Sequence, residues 1–231
     1  TEEIMTNFMS NSIFFGAALS LIAYEVGLLL KRKFKMAIFN PLLISIIAVI
    51  AVLCLLHIDY DTYNQSGQYI SYLLTPATVC LAVPLYQQME LLKKNLKAVV
   101  IGIVSGVLAS LVSVLILARL FRLSHEQYVT LLPKSITTAI GMGVSEELGG
   151  IVTITVAVII ITGVLGNMVA ETVIKLAHIE EPIAKGLALG TSSHAIGTAK
   201  AMELGEIEGA MSSLAIAVAG LLTVVGASVF A

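Results

Sequence analysis

The 231-residue chain reads as an all-α polytopic membrane protein of about six full crossings, plus two re-entrant or broken helical segments arranged as inverted repeats. Three observations predict this. Apolar residues make up 58% and charged residues 12% of the chain, with a mean hydropathy of +0.97, beyond the range of soluble domains. Apolar runs long enough to cross ~30 Å of hydrocarbon recur along it. Finally, residues 139–149 and 195–205, 56 positions apart, share one pattern: Ala139-Ile140-Gly141 and Glu147-Leu148-Gly149 return as Ala195-Ile196-Gly197 and Glu203-Leu204-Gly205. Each copy follows small hydroxyl residues and precedes a long apolar run.

In chain order, crossings are expected near 8–30, 41–58, 69–92, 98–118, 151–174 and 209–231. The first apolar run is too long, and residues 1–7 too poor in positive charge, for a removable signal peptide. Seven of the 13 Lys and Arg residues sit in two runs, Lys31-Arg32-Lys33-Lys35 and Lys93-Lys94-Lys97. The positive-inside rule puts both in the cytoplasm. Asp59 to Gln68 has no Lys or Arg and reads as an external loop, which places the N-terminus outside. One membrane domain, 1–231, then divides into two scaffold-like helices (8–68), a broken helix plus a crossing (69–118), repeat copy 1 (127–174) and repeat copy 2 (183–231). Cys54 and Cys80 lie in apolar segments and read as buried small hydrophobes, not as a disulfide or metal pair.

Segments 127–150 and 183–206 are too polar and Gly-rich for lipid-facing helices. If both cross fully, the copies are parallel; if both are re-entrant, the unit holds one crossing and the copies are inverted. The re-entrant arrangement keeps Lys175 and Lys185 cytoplasmic and is favoured by the charge rule. Irregular backbone at membrane depth needs shielding by protein or a water cavity, so the two tips should face each other. The third crossing looks broken as well, because Pro76, in Thr75-Pro76-Ala77-Thr78, and Pro84 each remove a backbone donor. The freed carbonyls either bind a substrate or ion, or are satisfied locally by Thr75.

The strings Leu74-Thr-Pro-Ala-Thr-Val-Cys-Leu-Ala-Val-Pro-Leu-Tyr86, Leu132-Pro-Lys-Ser-Ile-Thr-Thr138 and Gly186-Leu-Ala-Leu-Gly-Thr-Ser-Ser-His-Ala-Ile-Gly-Thr198 resemble the LrgB/CidB family over nearly the whole chain. Residues 139–143, Ala-Ile-Gly-Met-Gly, depart from the Pro-Ile-Ala-type stretch of that family. The resemblance implies a bacterial inner-membrane protein of antiholin-like type, tied to murein hydrolase export and cell lysis. It equally implies kinship with the C-terminal half of a plastid glycolate/glycerate translocator and with pyruvate uptake. A smaller LrgA/CidA-type membrane partner and a homo-oligomer are expected with it.

The candidate substrate-binding residues are Thr75, Pro76, Thr78, Lys134, Ser135, Thr137, Thr138, Thr191, Ser192, Ser193, His194, Gly197 and Thr198. A short 2-hydroxy or 2-oxo carboxylate needs a cation, directional hydroxyl donors and an exposed helix N-terminus. Lys134 and its hydroxyl neighbours supply these, with Pro133-Lys-Ser as the expected helix start; otherwise Lys134 snorkels to headgroups. His194 titrates near neutrality and suits proton coupling, or is a hydrogen-bonded structural residue. Glu147 and Glu203, at equivalent positions, either join in coupling, pair with Lys134 and Lys200, or mark the ends of the re-entrant arms. No cofactor, metal or nucleic-acid partner is expected. No nucleophile elbow, nucleotide-binding glycine motif or metal spacing occurs, so an enzyme is not expected either.

Two functions remain. One is a secondary carrier of small organic acid anions such as glycolate, glycerate or pyruvate. The other is a holin/antiholin-like oligomer that modulates membrane permeability, for which Gly102-x3-Gly106 offers a self-association face.

Overall fold

The computed structural model describes residues 12, 14–34, 36 and 39–231. Part of the first expected crossing, 8–30, therefore lies outside the described residues. The chain divides into two compact units, Thr1–Cys80 and Leu81–Ala231.

The first unit contains α1 (Phe15–Phe34), α2 (Pro41–Leu55), α3 (Tyr60–Ser71) and α4 (Leu74–Cys80). Asn40 caps α2 by accepting the N–H groups of Leu42 and Leu43, and Pro41 fits the first turn because its missing N–H would be unpaired there. At 15 residues, about 22 Å, α2 is shorter than the expected crossing at 41–58. Gly16 lets the α3 backbone at Tyr63 come into contact, and its N–H donates to Ser66 Oγ at 2.7 Å. That packing corrects the expected loop at Asp59 to Gln68: residues from Tyr60 onward are helical. Their small and polar side chains, Ser66 and Tyr63, find partners on α1. Cys54 and Cys80 are free thiols and exposed, not buried as expected.

The second unit contains α5 (Ala82–Gln87), α6 (Met89–Lys94), α7 (Leu96–Leu120), α8 (His125–Leu131), α9 (Thr138–Glu147), α10 (Val152–Leu176), α11 (Pro182–Leu204) and α12 (Glu206–Phe230). Among the described residues, four helical runs are long and apolar enough to cross a membrane: Tyr60–Gln87, Leu96–Leu120, Val152–Leu176 and Glu206–Phe230. The expected broken crossing at 69–92 thus starts earlier, and it is split into short helices around Thr75-Pro76 and Pro84. Ile101, Ile116, Ile161, Leu165, Leu221 and Val225 stand exposed on the long helices, as lipid contact requires. The chain is a polytopic membrane protein.

Between the long helices the chain doubles back twice. A Cβ at Gly197 would lie 2.6 Å from the Leu189 carbonyl oxygen. Residues eight apart in a straight helix are separated by about 12 Å. α11 is therefore two antiparallel arms, and the reversal sits at Ser193 (φ −131°, ψ 15°) and His194 (φ 43°, ψ −138°). The earlier hairpin has the same build. A Cβ at Gly141 would lie 3.6 Å from the Pro133 carbonyl oxygen, and 133 and 141 are 189 and 197 less 56. Thr155 pins this hairpin to α10, its Oγ1 bonding Thr130 O on one arm at 2.9 Å and Ser145 Oγ on the other at 2.7 Å.

The 56-residue period extends beyond the matching words. α7 and α10 are each 25 residues long and start 56 apart. Each is ended by a residue at positive φ, Arg122 (53°) and His178 (51°). The next N–H then reaches back five residues, Leu123 to Ala118 O and Ile179 to Ile174 O, which is the Schellman pattern. A unit of one long helix plus one hairpin changes ends once, so its second copy runs the opposite way.

The contacts agree with that reversal. Gly102 and Gly106 of α7 receive Leu187 and Thr191, so the first arm of α11 runs parallel to α7. Those glycines are occupied by the chain's own hairpin, which removes the self-association face expected at Gly102-x3-Gly106. At the other end of the unit, Tyr128 Oη of α8 donates to Phe230 O at the close of α12. The two hairpins thus enter the bundle from opposite ends.

Candidate anion site at the hairpin tips

α8 starts at a capping box, in which Ser124 Oγ accepts the Gln127 N–H and Gln127 returns the bond to the Ser124 N–H. Seven residues later the helix stops, and residues 132–137 turn. The next helix begins at Thr138 with Thr137 as its N-cap, five residues beyond the start expected at Pro133-Lys-Ser. Residues 132–136 cannot be that first turn because they make the reversal that lets α9 fold back on α8. Thr137 makes no side-chain cap, so the first-turn N–H groups of α9 are not capped by it.

Lys134 and Ser135 lie at this tip. Lys134 Nζ donates to Ser135 Oγ at 2.9 Å, and Ser110 Oγ of α7 donates to the same oxygen at 3.0 Å. Ser135 is buried, and Lys134, Thr137 and Thr138 are half-buried. Among the described residues Lys134 has no carboxylate partner.

The second tip carries Thr191, Ser192, Ser193 and His194, all buried except Ser192. Thr191 Oγ1 donates to Leu187 O at 2.8 Å, and the Ser192 and Ser193 hydroxyls are 3.1 Å apart. Thr198, on the returning arm, donates to His194 O at 3.0 Å and shares a 2.7 Å bond with Ser212 of α12. Gly163 and Gly166 of α10 open space for this tip, for a side chain at either would strike His194 or Ser193.

Both tips reach the middle of the long helices α7 and α10. Ser135 touches α7 at Ser110, and Thr191 reaches it at Gly106. On α10 the Ile159 side chain fills the space beside Gly141, while His194 Nε2 bonds the Ile159 carbonyl at 3.0 Å. The tips present one cation, several hydroxyls and the start of two helical arms, features suited to a small anion.

The remaining candidates lie elsewhere. Thr75 and Pro76 are exposed on α4 of the first unit, and the Thr78 side chain lies outside the described residues. Glu147 and Glu203 are exposed at the ends of the returning arms, nine residues beyond the equivalent tip positions 138 and 194, about 14 Å along a helix. Glu203 pairs with Lys200 at 3.0 Å. Sequence reasoning missed Ser110, Ser212 and Asn167, whose Nδ2 donates to Ile196 O at 2.9 Å. It also missed the bridge from Lys200 Nζ to Glu171 Oε1 at 2.6 Å. For Ser110 and Glu171 a signal existed, since each is about half-way or one turn from the end of an otherwise apolar span.

Known proteins bear on this arrangement. The LrgB-like family model matches residues 20–231. The chain is 40% identical to the antiholin-like protein LrgB of Bacillus mycoides (strain KBAB4) over 213 residues, 92% of this chain and 93% of that one. It is 39% identical to the antiholin-like protein LrgB of Bacillus cereus (strain B4264) over the same shares. No solved structure matches. A membrane protein with this repeated hairpin pattern, matched along nine-tenths of its length, belongs to the LrgB-like family.

Proposed function

We propose that the protein is a secondary carrier for small organic acid anions of the glycolate, glycerate and pyruvate type, working through two inverted re-entrant hairpins. One observation carries the reading: Lys134 is half-buried at a hairpin tip with hydroxyls around it and no carboxylate partner among the described residues. A cation withdrawn from water is costly unless an anion joins it. Ser135, Thr191, Ser192, Ser193, His194 and Thr198 each have a local bond, so the charge of Lys134 is what the tips leave unanswered. Discontinuous helices whose ends meet near the midplane are the usual setting for such a site in secondary carriers.

The sidedness follows from charge. Lys93, Lys94, Lys97, Lys175 and Lys185 lie at one end of the second unit, and Arg119 and Arg122 at the other. The lysine-rich end is taken as cytoplasmic. The first hairpin then opens outward and the second inward, and the N-terminus lies outside. His194 is the proton-coupling candidate of the site.

The test uses purified protein in liposomes loaded with calcein. Saturable, mutually competing uptake of labelled pyruvate, glycolate and glycerate without calcein release is the expected result. Calcein release in parallel with uptake would instead indicate a permeability pathway of holin type.

A further inference from the structure

A second cation in the membrane domain is treated differently from Lys134. Lys200, on the returning arm of α11, is 9% exposed and is held between two carboxylates, Glu171 Oε1 at 2.6 Å and Glu203 Oε2 at 3.0 Å. Glu171 belongs to α10 and is half-exposed. It faces a cavity of about 420 Å³ at the lysine-rich end, lined among others by Lys175, His178 and Lys185. Lys200 is not on the cavity wall; Glu171 stands between them. From Lys200 the arm leads six residues back to His194, about 9 Å along the helix.

The repeat shows that the fold does not require this pair. The positions 56 residues earlier are Val144 for Lys200 and Leu115 for Glu171. Val144 is buried in the apolar core and Leu115 packs against that core. Two apolar residues thus stand in the first copy where the second has an ion pair. An apolar side chain offers an anion nothing. An ion pair offers it an exchange.

We propose that Lys200 is a second carboxylate station, serving small monocarboxylates that arrive through this cavity, and that the Glu171 carboxylate fills it until the anion displaces it. This rests on the carrier reading. The exchange replaces one carboxylate by another, so Lys200 never stands unpaired in a dry site. The displaced Glu171 keeps a partner, because Lys175 already lies 3.7 Å from it, one helical turn on. Turning Glu171 outward also uncovers Lys200 to the cavity.

The test reads opening directly. In a Cys54→Ser/Cys80→Ser background, Ile174→Cys, on the cavity wall beside Glu171, reports access to a membrane-impermeant maleimide. Pyruvate should accelerate its labelling several-fold, and an equal concentration of chloride should not. Glu171→Gln should label fast without pyruvate, Lys200→Gln should lose the response, and Lys200→Arg should keep it. Since Lys200→Gln removes the cation between two carboxylates, the charge-balanced double variant Glu171→Gln/Lys200→Gln guards against misfolding, and fast labelling indifferent to pyruvate is expected of it. Labelling unaffected by pyruvate, or a full response in Lys200→Gln, would overturn the proposal. If the unsubstituted protein takes up pyruvate while labelling stays flat, the station falls and the carrier reading stands. A Lys200-dependent response without any uptake has the reverse meaning.

Discussion

His194 Nε2 lies 3.0 Å from the carbonyl oxygen of Ile159, and the side chain of the same Ile159 fills the space beside Gly141. One residue of α10 thereby holds both hairpin tips. Neither hairpin can shift without disturbing the contact of the other. Such a joint is what a carrier needs if substrate at one tip is to be felt at the other.

If the hairpins enter from opposite sides, their outer ends must be reached from opposite sides. Single cysteines at Glu126 and Lys185, in a chain lacking Cys54 and Cys80, test this in sealed right-side-out vesicles. Glu126→Cys should react with an impermeant maleimide in intact vesicles, and Lys185→Cys only after permeabilisation. Labelling of both from outside would contradict the inverted arrangement.

The glycines under the second tip are steric requirements. A methyl group at Gly166 would collide with Ser193, whereas at Gly143, on the open face of α9, it meets nothing within 4 Å. Gly166→Ala should cost about 1–3 kcal/mol through overpacking, seen as a lower melting temperature in detergent and weaker transport. Gly143→Ala should be neutral or stabilising by up to about 1 kcal/mol, since alanine is the better helix former. Equal melting temperatures for the two variants would mean that the tip does not press on α10.

His194 sits at φ 43°, ψ −138°, where a side chain is strained and glycine is not. That separates ring from backbone. His194→Gly keeps the turn and removes the imidazole, and His194→Ala removes the imidazole while retaining strain. Both variants should insert normally and lose or uncouple transport, with His194→Gly the more stable. Normal uptake with an unchanged pH profile in His194→Gly would make the histidine a turn residue only.

The sequence showed the period at the hairpins because there the residues have steric and polar jobs: Gly197 admits a carbonyl oxygen of the facing arm and Gly141 admits the Ile159 side chain, and a Cβ at either would collide. It did not show the period in α7 and α10, whose outward positions tolerate any apolar residue of suitable length. Nor did it relate Arg122 to His178, because positive φ beyond a helix end can be met by unlike side chains. The Lys200–Glu171 bridge was hidden for another reason: its partners are 29 positions apart, on separate elements brought together by the hairpin. The basic runs and the broken Thr75-Pro76 segment were legible because charge and proline act locally.

Whether the Lys134 cation holds substrate is read from the transport kinetics of Lys134→Gln. A charge-assisted hydrogen bond contributes roughly 1.5–3 kcal/mol, or about 10- to 100-fold in affinity. The apparent Km for labelled pyruvate should rise by that factor in Lys134→Gln liposomes, while Lys33→Gln, at an exposed position of the first unit, should leave it unchanged. Superimposable uptake curves for the unsubstituted protein and Lys134→Gln would contradict this, because the tip cation would then hold no substrate.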